Sequence, residues 1–286
     1  AAGRDAGGRP SRAEIAEAPP PGAAAGTRPT ILVCEDHPVN RQVLTRQLEL
    51  LGYAVHAEEN GRRALAAWRR QPYAMILTDC HMPELDGFGL AAAIREAEQN
   101  GARRTPIVAV TASVVAGEAE RCLEAGMDDY VSKPVTLERL GRVLGRWLPA
   151  SGDAAPERPA PEATLGREAA GAADADGEPP VDLSVLRRLS GDDPGFVRDM
   201  LRDFVAVNRD VLKELGDALA SRSIERVLDR AHRLRGSCGT AGAGRLERVT
   251  ESLEAAGERA SWSEIGRLYP LLVREFERIV DQVERL

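Results

Sequence analysis

Between residues 29 and 148 the chain repeats one pattern five times: a short, mostly apolar strand candidate, then a stretch of different character. The runs are Thr30-Ile31-Leu32-Val33-Cys34, Tyr53–Glu58, Ala74-Met75-Ile76-Leu77-Thr78, Ile107-Val108-Ala109-Val110 and Tyr130-Val131-Ser132. A strand with one face in water alternates apolar and polar residues. Unbroken apolar runs instead predict strands covered on both faces, as in a parallel sheet whose crossovers are helices. Helical patterns at Pro38–Leu51, Asn60–Gln71 and Leu137–Trp147 supply such crossovers. The expectation is an α/β doubly wound, five-stranded parallel sheet, with its site beyond the carboxyl ends of the strands.

From residue 182 to 286 the period changes to that of helices. Phe196, Met200, Phe204, Val211 and Leu215 form one stripe, and Val227, Ala231, Leu234 and Cys238 a second. Leu246, Val249 and Leu253 form a third, and Ile265, Leu268, Leu272, Phe276, Ile279 and Val283 a fourth. Without strand signals between them, these predict an all-α four-helix bundle over 181–286, with a short leading helix at Leu183–Leu189. Residues 1–28 and 149–180 are rich in Ala, Pro and Gly and poor in large apolar side chains, so both are expected to be disordered or linker-like. The 149–180 stretch carries seven acidic and two basic residues. As a flexible coil it would span about 30 Å.

Composition excludes several classes. No apolar run approaches the roughly 20 residues that cross a bilayer, and the start lacks a secretory signal. The chain begins Ala1-Ala2-Gly3, which reads as a piece of a longer protein. Four scattered cysteines without a CxxC argue against a disulfide framework or zinc site and suit a reducing cytosol. A net charge of -7 argues against nucleic-acid binding. Among 38 basic residues only Lys133 and Lys213 are lysine.

The strand ends carry the chemistry. The first ends in Glu35-Asp36, the third in Asp79 and the fourth in Thr111, and the fifth leads to Lys133. Three carboxylates brought together repel one another unless a hard divalent cation holds them, and oxygen-only ligands point to Mg²⁺. Asp79 would then serve as a phosphoryl acceptor, with the Thr111 hydroxyl and the Lys133 ammonium taking the oxygens of a planar PO₃ group. In an arginine-rich chain, lysine at 133 suits a small crowded site that a guanidinium would not enter.

Residues 29–148 resemble a two-component receiver domain, which has a flavodoxin-like fold with strand order 2-1-3-4-5. The resemblance rests on Cys34-Glu35-Asp36, Thr78-Asp79-Cys80-His81-Met82-Pro83, Val110-Thr111-Ala112 and Lys133-Pro134. The phrase Glu35-Asp36-His37-Pro38-Val39-Asn40-Arg41 is similar to receivers found inside hybrid sensor kinases. It implies that Asp79 is the phosphoacceptor and that Glu35, Asp36, Asp79 and the backbone carbonyl of His81 bind Mg²⁺. It also implies a switch pair of Thr111 and Tyr130, although Tyr130 fits plain core equally well, and a cis Lys133–Pro134 peptide bond. Cys80, facing away from the acceptor, is read as packing.

A second constellation centres on His232. At about 100° per residue it falls roughly 130° from the centre of the Val227, Ala231, Leu234 and Cys238 stripe, on the outer surface. Gly236 and Gly239 flank it, although each helical glycine costs about 1 kcal/mol against alanine. That arrangement fits close approach by another backbone. Arg235 is placed to partner phosphoryl oxygens, while Arg226, Arg230 and Arg233 read as solvated charge. The stretch from Ala231-His232 through Leu234-Arg235-Gly236-Ser237 to Gly242-Ala243, Leu246 and Leu253-Glu254 resembles the histidine-phosphotransfer (HPt) domain. That family usually has lysine at the position of Arg235.

The order receiver, linker, HPt resembles the C-terminal end of unorthodox hybrid sensor histidine kinases. The resemblance implies a phosphorelay from an upstream histidine kinase core to Asp79, then to His232, then to the receiver domain of a separate response regulator. No ATP-binding glycine boxes are present, so the chain is expected to carry phosphate without drawing it from ATP. The other reading is a phosphorylation-dependent adaptor or phosphate sink without forward transfer. The fragment is expected to be cytoplasmic, without nucleic-acid or membrane contact, and its parent to be anchored in the inner membrane.

Overall fold

The computed structural model describes residues 28–99, 103–111, 116–148, 178–190 and 193–286. The stretches 1–27 and 149–177, read above as linkers, lie outside the described residues, as do Ala112 and Ser113. The chain divides into two compact units. One runs to Asp36 and resumes over Leu48–Val131; the other takes His37–Gln47 and Ser132–Leu286.

The first unit is built on a sheet of β1 (Thr30–Cys34), β2 (Ala54–Glu58), β3 (Met75–Asp79), β4 (Ile107–Thr111) and β5 (Asp129–Ser132), whose last residue falls in the second unit. Its order is β2-β1-β3-β4-β5, as expected. The β1–β2, β1–β3 and β3–β4 pairings are parallel. Inner strands are buried on both faces, which is what their unbroken apolar runs require: Ile31, Leu32, Val33, Met75, Ile76 and Leu77 are all inaccessible to solvent. Helices α2 (Gly61–Trp68), α3 (Gly87–Glu98) and α4 (Ala116–Glu124) belong to this unit. Ala64, Leu90, Ile94 and Cys122 on these helices pack with Leu32, Ile76, Ile107 and Ala109 in one apolar cluster.

Local chemistry sets the helix starts. Asn60 caps α2 by accepting from the Arg63 N–H, and Asp86 caps α3 by accepting from the Gly89 N–H. Gly87 opens α3 because nothing larger fits: a Cβ there would lie 2.1 Å from the Asp79 carbonyl oxygen. The Gly87 N–H donates to the Cys80 carbonyl at 3.1 Å, which ties the start of α3 to the end of β3.

Most of α1 (Pro38–Leu50), together with α5 (Leu137–Trp147), belongs to the second unit. Its body is α6 (Leu183–Ser190), α7 (Pro194–Ala220), α8 (Ile224–Ala241), α9 (Gly244–Glu258) and α10 (Trp262–Val283). Four long helices and a short leading one match the expected bundle. Phe204 and Phe276 are its largest fully buried side chains. The turn from α8 to α9 depends on Gly242, which adopts φ +68° and caps α8 with its N–H on the Cys238 and Gly239 carbonyls. Asp182 donates its N–H to the Gly242 carbonyl at 2.9 Å, fastening the start of α6 to the same turn.

Candidate functional sites

The acidic site is assembled by strand register. Parallel pairing sets Cys34 opposite Thr78, so Glu35 and Asp36 leave β1 where Asp79 ends β3. Carboxylate oxygens of Glu35, Asp36 and Asp79 lie within 4.8 Å of one another. Glu35 is fully buried and its N–H donates to the Glu58 carbonyl at 3.1 Å. The His81 N–H donates to Asp79 Oδ1 at 3.3 Å. Three carboxylates this close, one of them buried, form a donor set that suits a hard divalent cation.

Thr111 ends β4, one residue beyond the Asp79–Val110 pairing, and is 1% exposed. Tyr130 lies in β5 and is half-buried against the apolar cluster of the first unit. Lys133 follows β5 directly and joins Pro134 through a cis peptide bond, as expected. Cys80 is buried with its Sγ 3.5 Å from Cys122 Sγ, in keeping with a packing role. Burial pushes the Cys34 thiol well above its usual range, and the nearby Glu35 and Asp79 carboxylates add to the effect.

In the bundle, the predicted stripe of Val227, Ala231, Leu234 and Cys238 is fully buried. The His232 side chain on the opposite side is 45% exposed. A Cβ at Gly236 would meet nothing within 4 Å, so the surface one turn beyond His232 is open. At Gly239 it would meet Glu247 and Pro134 at an ordinary 3.7 Å.

Arg235 engages Glu254, Nη1 to Oε2 at 2.8 Å, and the other oxygen of Glu254 lies 3.3 Å from His232 Nδ1. Glu254 is 8% exposed and faces α8 from α9. Sequence reasoning reached Leu253-Glu254 only as part of a motif and gave Glu254 no role. The separation of 22 positions from His232 is bridged only when α8 and α9 pair.

Two other arginines differ from the sequence reading of solvated charge. Arg230 pairs with Glu214 at 2.8 Å. Arg233 is half-buried, and its charge acts on His37. Burial first, then Arg233 and Lys133, push the His37 imidazole down to about 3, so it is neutral at physiological pH.

Residues 31–144 match the family of response regulator receiver domains, and residues 199–286 match the Hpt domain family. The chain is 31% identical to the virulence sensor protein BvgS of Bordetella pertussis, over 93% of this chain and 22% of that protein. It is 31% identical to the signal transduction histidine-protein kinase BarA of Shigella flexneri, over 79% of this chain and 23% of that one. The chain thus spans under a quarter of the length of these relatives. It is also 45% identical to the receiver domain of sensor histidine kinase PA1611 from Pseudomonas aeruginosa, a structure with a magnesium ion in its active-site cleft. That match covers 42% of this chain and 98% of the other, with a TM-score of 0.39. The chain thus joins a response regulator receiver domain to an Hpt domain.

Proposed function

We propose that Asp79 and His232 are the two phosphoryl carriers of this chain, within a receiver domain at 29–148 and an Hpt domain at 181–286. The observation that carries the reading is the cluster of Glu35, Asp36 and Asp79 at adjacent strand ends. An Asp79 carboxylate oxygen attacks the phosphorus of a phosphohistidine on an upstream kinase core; the O–P bond forms as the N–P bond breaks. Glu35, Asp36 and Asp79, with the His81 carbonyl, would hold Mg²⁺, which when bound offsets negative charge on the phosphoryl oxygens. Thr111 and Lys133 act on those oxygens by hydrogen bond and charge, and Thr111 and Tyr130 report the phosphorylated state.

The second transfer runs from Asp79 to a ring nitrogen of His232: the N–P bond forms as the Asp79 O–P bond breaks, and the carboxylate is released. Glu254 lies on the Nδ1 side of the imidazole. A proton held at Nδ1 toward this carboxylate leaves the Nε2 lone pair as the nucleophile. Arg235 fixes Glu254 by its ion pair and remains close to the arriving phosphoryl group, while Gly236 leaves the approach open. From His232 the group passes to the receiver domain of a separate response regulator. No helix among the described residues is long and apolar enough to cross a membrane.

The test uses the cognate kinase and labelled ATP. In the wild type, label appears first in an acid-stable, base-labile form on Asp79 and then in an acid-labile, base-stable form on His232. Asp79→Asn removes both and His232→Gln removes only the second. Label that stops at Asp79 in the wild type would overturn the relay in favour of an adaptor or phosphate sink.

A further inference from the structure

Within the second unit, His37–Gln47 packs with the bundle through two kinds of contact. Val39 and Val43, one helical turn apart on α1, are 0% and 3% exposed and share an apolar cluster with Val197, Met200 and Phe204. Such contact is strong but undiscriminating, because any helix with two apolar residues at that spacing makes it. Beside it runs a polar line. Asn40 Nδ2 donates to the Gly236 carbonyl at 3.1 Å. Gln42 Nε2 donates to Asp203 Oδ2 at 2.7 Å. Arg46 Nη2 lies 3.3 Å from Asp193 Oδ2, and its guanidinium sits 5.9 Å from the centroid of the Phe196 ring.

Gln42 and Arg46 are one turn apart on α1; Gln42 meets Asp203 in the first half of α7, and Arg46 meets Asp193, the N-cap residue of α7. Asp193 does two jobs at once. Its Oδ1 caps α7 by accepting from the Gly195 and Phe196 N–H groups, while Oδ2 receives Arg46. The cap fixes the carboxylate, so a cation on α1 must come to it.

We propose that Arg46, seconded by Gln42, is a specificity-determining residue for phosphoryl transfer in this chain: together they match α1 to the Asp193 and Asp203 carboxylates of the bundle and disfavour receiver helices carrying acids there. The inference rests on the relay between Asp79 and His232 and adds the means by which the bundle selects its receiver helix. The Arg46 and Asp193 side chains are 33% and 43% exposed. At that exposure the pair adds little stability, but like charges at the same place are penalised, and discrimination follows from the difference.

The test is a double-mutant cycle in the full chain. Asn retains the capping oxygen, so Asp193→Asn removes the charge without removing the cap. Arg46→Glu is expected to slow transfer from Asp79 to His232 about tenfold, and Asp193→Asn alone about twofold. Added to the Arg46→Glu chain, Asp193→Asn is expected to speed transfer, reversing its sign.

Amide hydrogen exchange across residues 37–47 of the unphosphorylated chain reads the same coupling without phosphate: Asp193→Asn raises exchange when residue 46 is arginine and lowers it in the Arg46→Glu chain. Additive effects in both measurements overturn the proposal. Absent transfer in the wild type overturns the relay alone, and exchange still decides the role of Arg46.

Discussion

At the scale of single residues, Asp79 and His232, the two proposed phosphoryl carriers, sit in opposite settings. Asp79 ends a buried strand and is crowded by two other carboxylates. Removing one of these should weaken the cation site: Asp36→Asn is expected to raise the Mg²⁺ concentration needed for half-maximal labelling of Asp79 at least about tenfold. A metal titration of the labelling rate reads this directly. His232 is half-exposed on a helix surface, with the Glu254 carboxylate 3.3 Å from its Nδ1. Glu254→Ala is expected to slow arrival of label at His232 by about tenfold, and Glu254→Gln, which still accepts a hydrogen bond, by less. Imidazole ¹⁵N shifts provide the check that a merely structural role would not pass. Proton occupancy of His232 Nδ1 should fall in the alanine variant and recover in part with glutamine.

At the scale of elements, two junctions hold the secondary structure in place. In the first unit Asp128, whose side chain is 6% exposed, receives Arg95 at 2.6 Å and Arg104 at 2.7 Å and accepts the Ile107 N–H at 2.8 Å. Arg95 also donates to the Gly126 carbonyl and pairs with Glu98, whose other oxygen accepts the Thr105 N–H. This network joins α3, the start of β4 and the turn before β5. Removing Asp128 takes one of two carboxylates from the buried Arg95 and leaves the Ile107 N–H without its acceptor, so Asp128→Ala is expected to destabilise the protein by about 1–3 kcal/mol in a denaturant titration.

The bundle has a backbone counterpart at Gly242. An alanine there would have to hold φ near +68° with its Cβ 2.6 Å from the Asp182 carbonyl oxygen. Gly242→Ala should therefore lower stability by about 1–3 kcal/mol, read from the same titration.

At the scale of the whole molecule, Asp79 and His232 lie on one chain, with the acidic stretch 149–180 between them. Because the two are covalently joined, the donor sees its acceptor at an effective concentration independent of how much protein is in solution. Transfer from Asp79 to His232 is expected to be first order and unchanged over a hundredfold dilution. A mixture of Asp79→Asn and His232→Gln chains should transfer only between molecules, at a rate that falls with dilution. Quenched-flow measurements at several concentrations distinguish the two.

What the sequence by itself determined follows from short-range physics. Unbroken apolar runs announced buried parallel strands, a change of period announced the bundle, and acids at successive strand ends announced the cluster of carboxylates. Each is a local pattern whose consequence the backbone geometry dictates. The exposed side of α8 could be placed for the same reason, since 100° per residue leaves little choice once four core positions are known.

Tertiary structure decided the matters of partnership. An apolar stripe says that a helix is buried and not against what, so the sequence did not disclose that Val39 and Val43 join the cluster of Phe204. Arg233 read as solvated because its charge is local, whereas its burial beside His37 depends on chain nearly 200 residues away. Glu254 was silent for the same reason. Its carboxylate acquires meaning only when helix pairing carries it across 22 positions to His232.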